Sequence, residues 1–147
     1  GAVDGVWNGT KDHTGCAHHL FSHHHRTSGW VQKCGFGCSP SDIRAGIGPG
    51  IGFDSFQVGE EVALVFKESG FPVDRIWAFR GARAENSMEG GHHIDLKECV
   101  RISLVDCGVP ADNIQVSDID TYIDDRFYSA RREGTQTGRN INAVKMV

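Results

Sequence analysis

The chain has 147 residues, which fits one domain with a real core, and its formal net charge of −4 with no long run of basic residues argues against a nucleic-acid partner. Its apolar runs are too short for a bilayer and no charged-then-apolar leader opens it, so neither membrane insertion nor secretion is expected. The five cysteines are then expected as reduced thiols in a cytoplasm, and 19 glycines imply many tight turns, as in a sheet-containing fold.

In chain order, residues 11–37 come first as an oddity. They hold six of the eight histidines and two of the five cysteines, with neither a helical nor a strand period. From Cys38 onward the text becomes regular. "SPSDIRAGIGPGIG" predicts a turn, a strand around 43–47 and a Gly/Pro loop. Residues 56–70 predict a helix with Val58, Val62, Val65 and Phe66 on one face and Gly70 as its stop. A strand is predicted at 75–80 and a polar loop at 81–91.

Residues 95–108 carry the clearest helical signal. Leu96, Cys99, Val100, Ser103, Leu104 and Cys107 form its inner stripe, Asp95 and Glu98 suit a capping box, and Gly108 suits the position after the end. Alternation predicts strands at 113–119 and 140–147. Strands and helices are interspersed, but the last strands are joined by loops. The fold class is therefore α+β, a mixed-sheet sandwich flanked by helices.

Several groups could carry chemistry. His23 and His25 with Cys34 and Cys38 offer imidazole and thiolate ligands, although the order and spacing differ from those of a zinc finger. A mobile loop that picks up metal adventitiously is the plainer reading. Cys99 and Cys107 read as core thiols, with a nucleophile as the alternative, and His92 and His93 as polar residues flanking a helix, with an acid/base site residue as the alternative. "GIGPGIG" reads as a structural turn, with anion binding by its backbone as the alternative. "DRFYSARREGTQTGR" (125–139) is more specific. It sets Phe127, Tyr128 and Ser129 before Arg131 and Arg132, then Gly138. Paired guanidiniums in a fixed loop suit a phosphate or carboxylate. One arginine is expected to be structural, paired with Asp118, Asp120, Asp124 or Asp125, and the other to face a cleft.

Three stretches, "IRAGIGPGIGFDSFQVGEEV", "HHIDLKECVRISLVDCGVPADNIQVSDIDT" and "DRFYSARREGTQTGR", occur in that order. Together they resemble the C-terminal half of the YfiH-type, laccase-domain or "multicopper polyphenol oxidase" family, over about residues 38–147. The resemblance implies a compact α+β fold and a cytoplasmic enzyme with a zinc or copper site of His and Cys ligands. It also implies phosphorolysis of adenosine, inosine and methylthioadenosine, with adenosine deamination and phenol oxidation as other roles. On this basis Arg131 and Arg132 are the catalytic candidates, and Phe127 and Ser129 help wall a nucleoside or phosphate cleft.

The family's H-x-G-W-x-G-T block has its nearest match in "DGVWNGT" (4–10). Trp7 fits as a substrate contact, while Asp4 stands at the position of a metal-binding His. Asp120-Thr121 stands where the family often has Cys-Thr. The chain then reads as a single partial domain. Residues 1–10 are a remnant of the metal motif, and residues 11–37 are irregular, as if frame-disturbed. Residues 38–147 are the well-matched part. Its expected function is that of an impaired member of a purine-nucleoside-processing family. Copper-dependent phenol oxidation and non-enzymatic metal binding through the 18–38 cluster are the alternatives.

Overall fold

The computed structural model describes residues 39–80 and 90–141. Asp4, Trp7, His23, His25, Cys34 and Cys38 lie outside them, as does all but the start of the strand expected at 140–147.

The predicted first strand is β1, Ala45–Ile47, entered from a single 3₁₀ turn at Pro40–Asp42. It pairs in parallel with β5, Ile114–Val116, a shorter strand than the 113–119 expected because Ala111–Asn113 form a 3₁₀ turn first. The pairing continues past both strand ends. Ser117 N–H donates to Ile47 O (2.8 Å) and Thr121 N–H to Gly50 O (3.1 Å). The Gly/Pro loop is thus sewn to residues 117–121, in keeping with its structural reading.

Three further strands form an antiparallel sheet in the order β2, β4, β3. β2 is Gln57–Val58, β3 is Trp77–Arg80 and β4 is Gly91–Ile94. This corrects three expectations. The helix drawn over 56–70 is α1, Glu60–Glu68, because the Gln57–Val58 backbone pairs with His93 and His92 of β4 instead. Its inner residue is Ala63, fully buried, whereas Val65 is half exposed. The strand drawn over 75–80 is preceded by one helical turn, α2, Val73–Ile76, started after Pro72. His92 and His93 are not flanking residues but the middle of the central strand.

The helix over 95–108 is α3, Leu96–Asp106. Asp95 caps it, its Oδ1 accepting from Glu98 N–H at 2.9 Å, as the capping signature implied. Gly108 adopts φ +94°, a left-handed conformation that side-chain-bearing residues avoid, so the chain leaves the helix there. Leu96, Cys99 and Val100 are buried with Ile47, Phe56, Ala63, Ile76, Ile94 and Ile102 in one core. α3 thus packs the two sheets together. Buried aliphatic side chains of this kind each contribute about 1.5–3 kcal/mol. The result is a mixed α+β architecture with parallel and antiparallel strands, as the sequence implied. α4, Ala130–Glu133, ends the described elements.

Candidate functional site

Val58, His92 and Phe79 sit side by side across the antiparallel sheet, His92 opposite both of the others. Alternation places Trp77 on the same face. The face opens on a cleft of about 490 Å³, lined also by Gln57, Gly59, Gly91 and Arg131.

His92 is held in one orientation. Trp77 Nε1–H donates to its Nδ1 at 3.0 Å, and the Trp77 and Phe79 rings approach it edge-on with centroids at 5.3 and 5.0 Å. An imidazole that accepts at Nδ1 carries its proton at Nε2 when neutral. Phe79 leaves two thirds of its surface exposed at the rim. β4 turns the next residue, His93, to the opposite face, where its Nδ1–H donates to Phe53 O at 3.1 Å.

Arg131 and Arg132 have divergent surroundings. Arg131 lies over the Phe56 ring (5.2 Å), donates to Gln57 O at 2.7 Å and lines the cleft. Arg132 turns away. It donates to the carbonyls of Thr121 (3.0 Å), Tyr122 (3.1 Å), Asp124 (3.4 Å) and Phe127 (2.6 Å), and pairs with Glu133. The expected aspartate partner is corrected: Arg132 holds backbone carbonyls, and Asp124 pairs with Arg126. Ser129 is buried and caps α4, accepting from Arg132 N–H at 3.3 Å. Phe127 N–H donates to Asp124 O and its ring lies beside the Arg126 guanidinium, 5.9 Å away. Neither Ser129 nor Phe127 lines the cleft with Arg131. The rest of the block fixes shape. The Asn140 amide donates to Tyr128 O (2.8 Å) and accepts from Tyr128 N–H (2.9 Å). A Cβ on Gly138 would fall 2.7 Å from the Tyr128 ring.

A buried lysine adds a second cross-link. Lys97 Nζ donates to Ser117 O (2.8 Å) and Ile119 O (2.6 Å). Burial lowers its pKa, opposed by the nearby charges of Asp120, Asp95 and Asp118. Asp120 accepts from Ser55 Oγ at 2.5 Å, and its carboxylate lies where a Cβ on Gly52 would go. Asp120 therefore ties the Gly/Pro loop down.

The family reading implies a metal. Among the described residues no three or more His, Cys, Asp or Glu side chains gather as a metal-binding set. Cys99 is a core thiol, its pKa pushed up to about 12 by burial and by Asp95 and Glu98, which opposes the thiolate a metal needs. The described residues do not fit a metal centre. The sequence did not single out Phe79 or Val58 as cleft residues, nor Trp77 as the residue that orients His92. The signal available was the i, i+2 spacing of Trp77 and Phe79 next to a histidine pair.

Residues 13–147 match the family model described as multi-copper polyphenol oxidoreductase laccase. The chain belongs to that family. The match takes in the His-rich segment from residue 13 and leaves Asp4 and Trp7 outside it. A purine nucleoside phosphorylase of Bacteroides thetaiotaomicron is 43% identical over 110 residues, which is 74% of this chain and 38% of that protein. An adenosine deaminase, RL5, from an unknown prokaryotic organism is 36% identical over 114 residues, 77% of this chain and 41% of that protein. The crystal structure of YlmD from Geobacillus stearothermophilus superposes with a TM-score of 0.56 at 32% identity, covering 75% of this chain and 42% of that one. This laccase-family chain thus spans less than half the length of the curated relatives it matches. Among its described residues no helix is long and apolar enough to cross a membrane.

Proposed function

We propose that this chain supplies one wall of a purine-nucleoside-processing site, with Arg131 as its anion-binding group. The observation that carries the reading is the placement of Arg131. Its guanidinium is braced by Gln57 O and by the face of Phe56, and it borders the same cleft as His92 and Phe79. A guanidinium has five N–H donors in a planar fork, so one bond to Gln57 leaves donors for a phosphate or for ribose oxygens. The two relatives named for purine nucleoside phosphorylase and adenosine deaminase activity favour a nucleoside as the ligand. Arg132 then acts as the strut that fixes α4 and so aims Arg131. The catalytic role first given to both arginines is kept for Arg131 alone.

The roles of Trp7 as a substrate contact and of Asp4 as a zinc or copper ligand remain part of the proposal, as does the alternative set His23, His25, Cys34 and Cys38. Phenol oxidation is the second reading, favoured by the description of the matching family. Calorimetric titration of the chain with inorganic phosphate and with inosine tests the main one. Arg131→Ala is expected to weaken phosphate binding about tenfold, the loss of one charge-assisted contact. Phosphate binding that Arg131→Ala leaves unchanged would remove the arginine from the site.

A further inference from the structure

We propose that His92 and Phe79 form the base subsite of this cleft, with His92 Nε2–H donating to N7 of a purine. The inference rests on the nucleoside reading above and deepens it by naming the atom recognised.

The Trp77 N–H takes Nδ1 of His92, so the neutral ring offers a donor at Nε2 and cannot switch tautomer without losing that bond. His92 lies between Val58 and Phe79 on the cleft face, and the exposed Phe79 ring provides an apolar surface for a planar ligand. Aromatic faces bind bases without regard to their identity. Identity must come from the polar partner. A single fixed N–H selects a ring acceptor, and N7 is present in 6-amino and 6-oxo purines alike. N3 is shared too, but it lies on the sugar side of the base. Arg131, on the same cleft, is then left for the sugar or phosphate end. No group in this set requires the ligand to be charged at the base.

The test compares inosine with 7-deazainosine, in which N7 is replaced by C–H, by calorimetry on the purified 147-residue chain and on His92→Phe. The unmodified chain is expected to bind inosine about tenfold tighter than 7-deazainosine, the cost of leaving one partly buried donor unpaired beneath the base. His92→Phe keeps a ring in the subsite and is expected to bind both equally. Equal binding of the two by the unmodified chain overturns the N7 contact while leaving the nucleoside reading intact, and needs no variant to fold. A preference for inosine that survives His92→Phe removes His92 from the subsite. Binding of neither ligand brings down the nucleoside reading itself and this inference with it.

Discussion

Arg131 and Arg132 are adjacent in sequence and have opposite surroundings. A one-turn helix turns successive side chains by about a third of a revolution or less, enough to send one to the cleft and one inward. Arg132 is the more costly to lose. Its donors meet four backbone carbonyls of residues 121–127, an arrangement that a planar fork can span and a compact ammonium cannot. Arg132→Lys is expected to cost about 2 kcal/mol in urea unfolding, since carbonyls lose charged donors. A midpoint shift no larger than for an exposed Arg→Lys change would show that the clamp contributes little. Glu98 gives a second prediction. The hydrogen bond from Arg101 lowers its pKa from the ordinary 4.5, burial raises it, and the bond from Arg75 lowers it further. The net shift is downward, so the ionised side chain stabilises the fold above about pH 4.5 and loses that effect as pH falls through the lowered folded value. Unfolding of the chain and of Glu98→Gln, measured from pH 7 to pH 2, should differ most at neutral pH and converge in acid. A gap that stays constant over that range would mean that Glu98 is not ion-paired in solution.

Among the elements, α3 shows what the sequence can encode locally. Its stripe, its Asp95 cap and its Gly108 stop all lie within fourteen residues, and the helix runs between them. The cap is a testable part. Asp95→Ala removes the acceptor for Glu98 N–H and is expected to cost about 1 kcal/mol in thermal or urea unfolding. An unchanged midpoint would mean that water replaces the carboxylate. α1 was legible in its body but not at its start. Val58 continues the apolar spacing of the helix, yet β4 recruits the Gln57–Val58 backbone from over thirty residues away. β4 itself was missed because Gly91–Ile94 is four residues long and half of it is histidine. Lys97 was missed for a related reason. A lysine one position from an apolar stripe reads as solvated, and only residues 117–119 supply the carbonyls that keep it buried. The cleft fails to show in the sequence on the same grounds. Val58, Phe79, His92 and Arg131 come from four separate segments, and only the strand register and the α4 turn bring them together.

At the scale of the whole molecule, the limiting fact is extent. The chain matches 38% to 41% of the length of the two relatives named above, and its described part offers a cleft wall without a metal set. A wall can bind without turning over, because rate acceleration needs the reacting groups held in orientation and donors aimed at the charge that develops. Purified chain is accordingly expected to show no inosine phosphorolysis above background in a coupled assay with phosphate. Turnover that Arg131→Ala abolishes would show that the 147 residues already make a working centre. Metal content of the same dialysed sample separates the remaining readings. Any zinc or copper retained at one equivalent must draw a ligand from outside residues 39–80 and 90–141, since inside them no three ligand side chains meet. Changing His23, His25, Cys34 and Cys38 together should then release it. If the metal leaves with Asp4→Ala instead, the site is the one implied by the H-x-G-W-x-G-T position. That result would move the chain from a binding wall towards a complete catalytic centre.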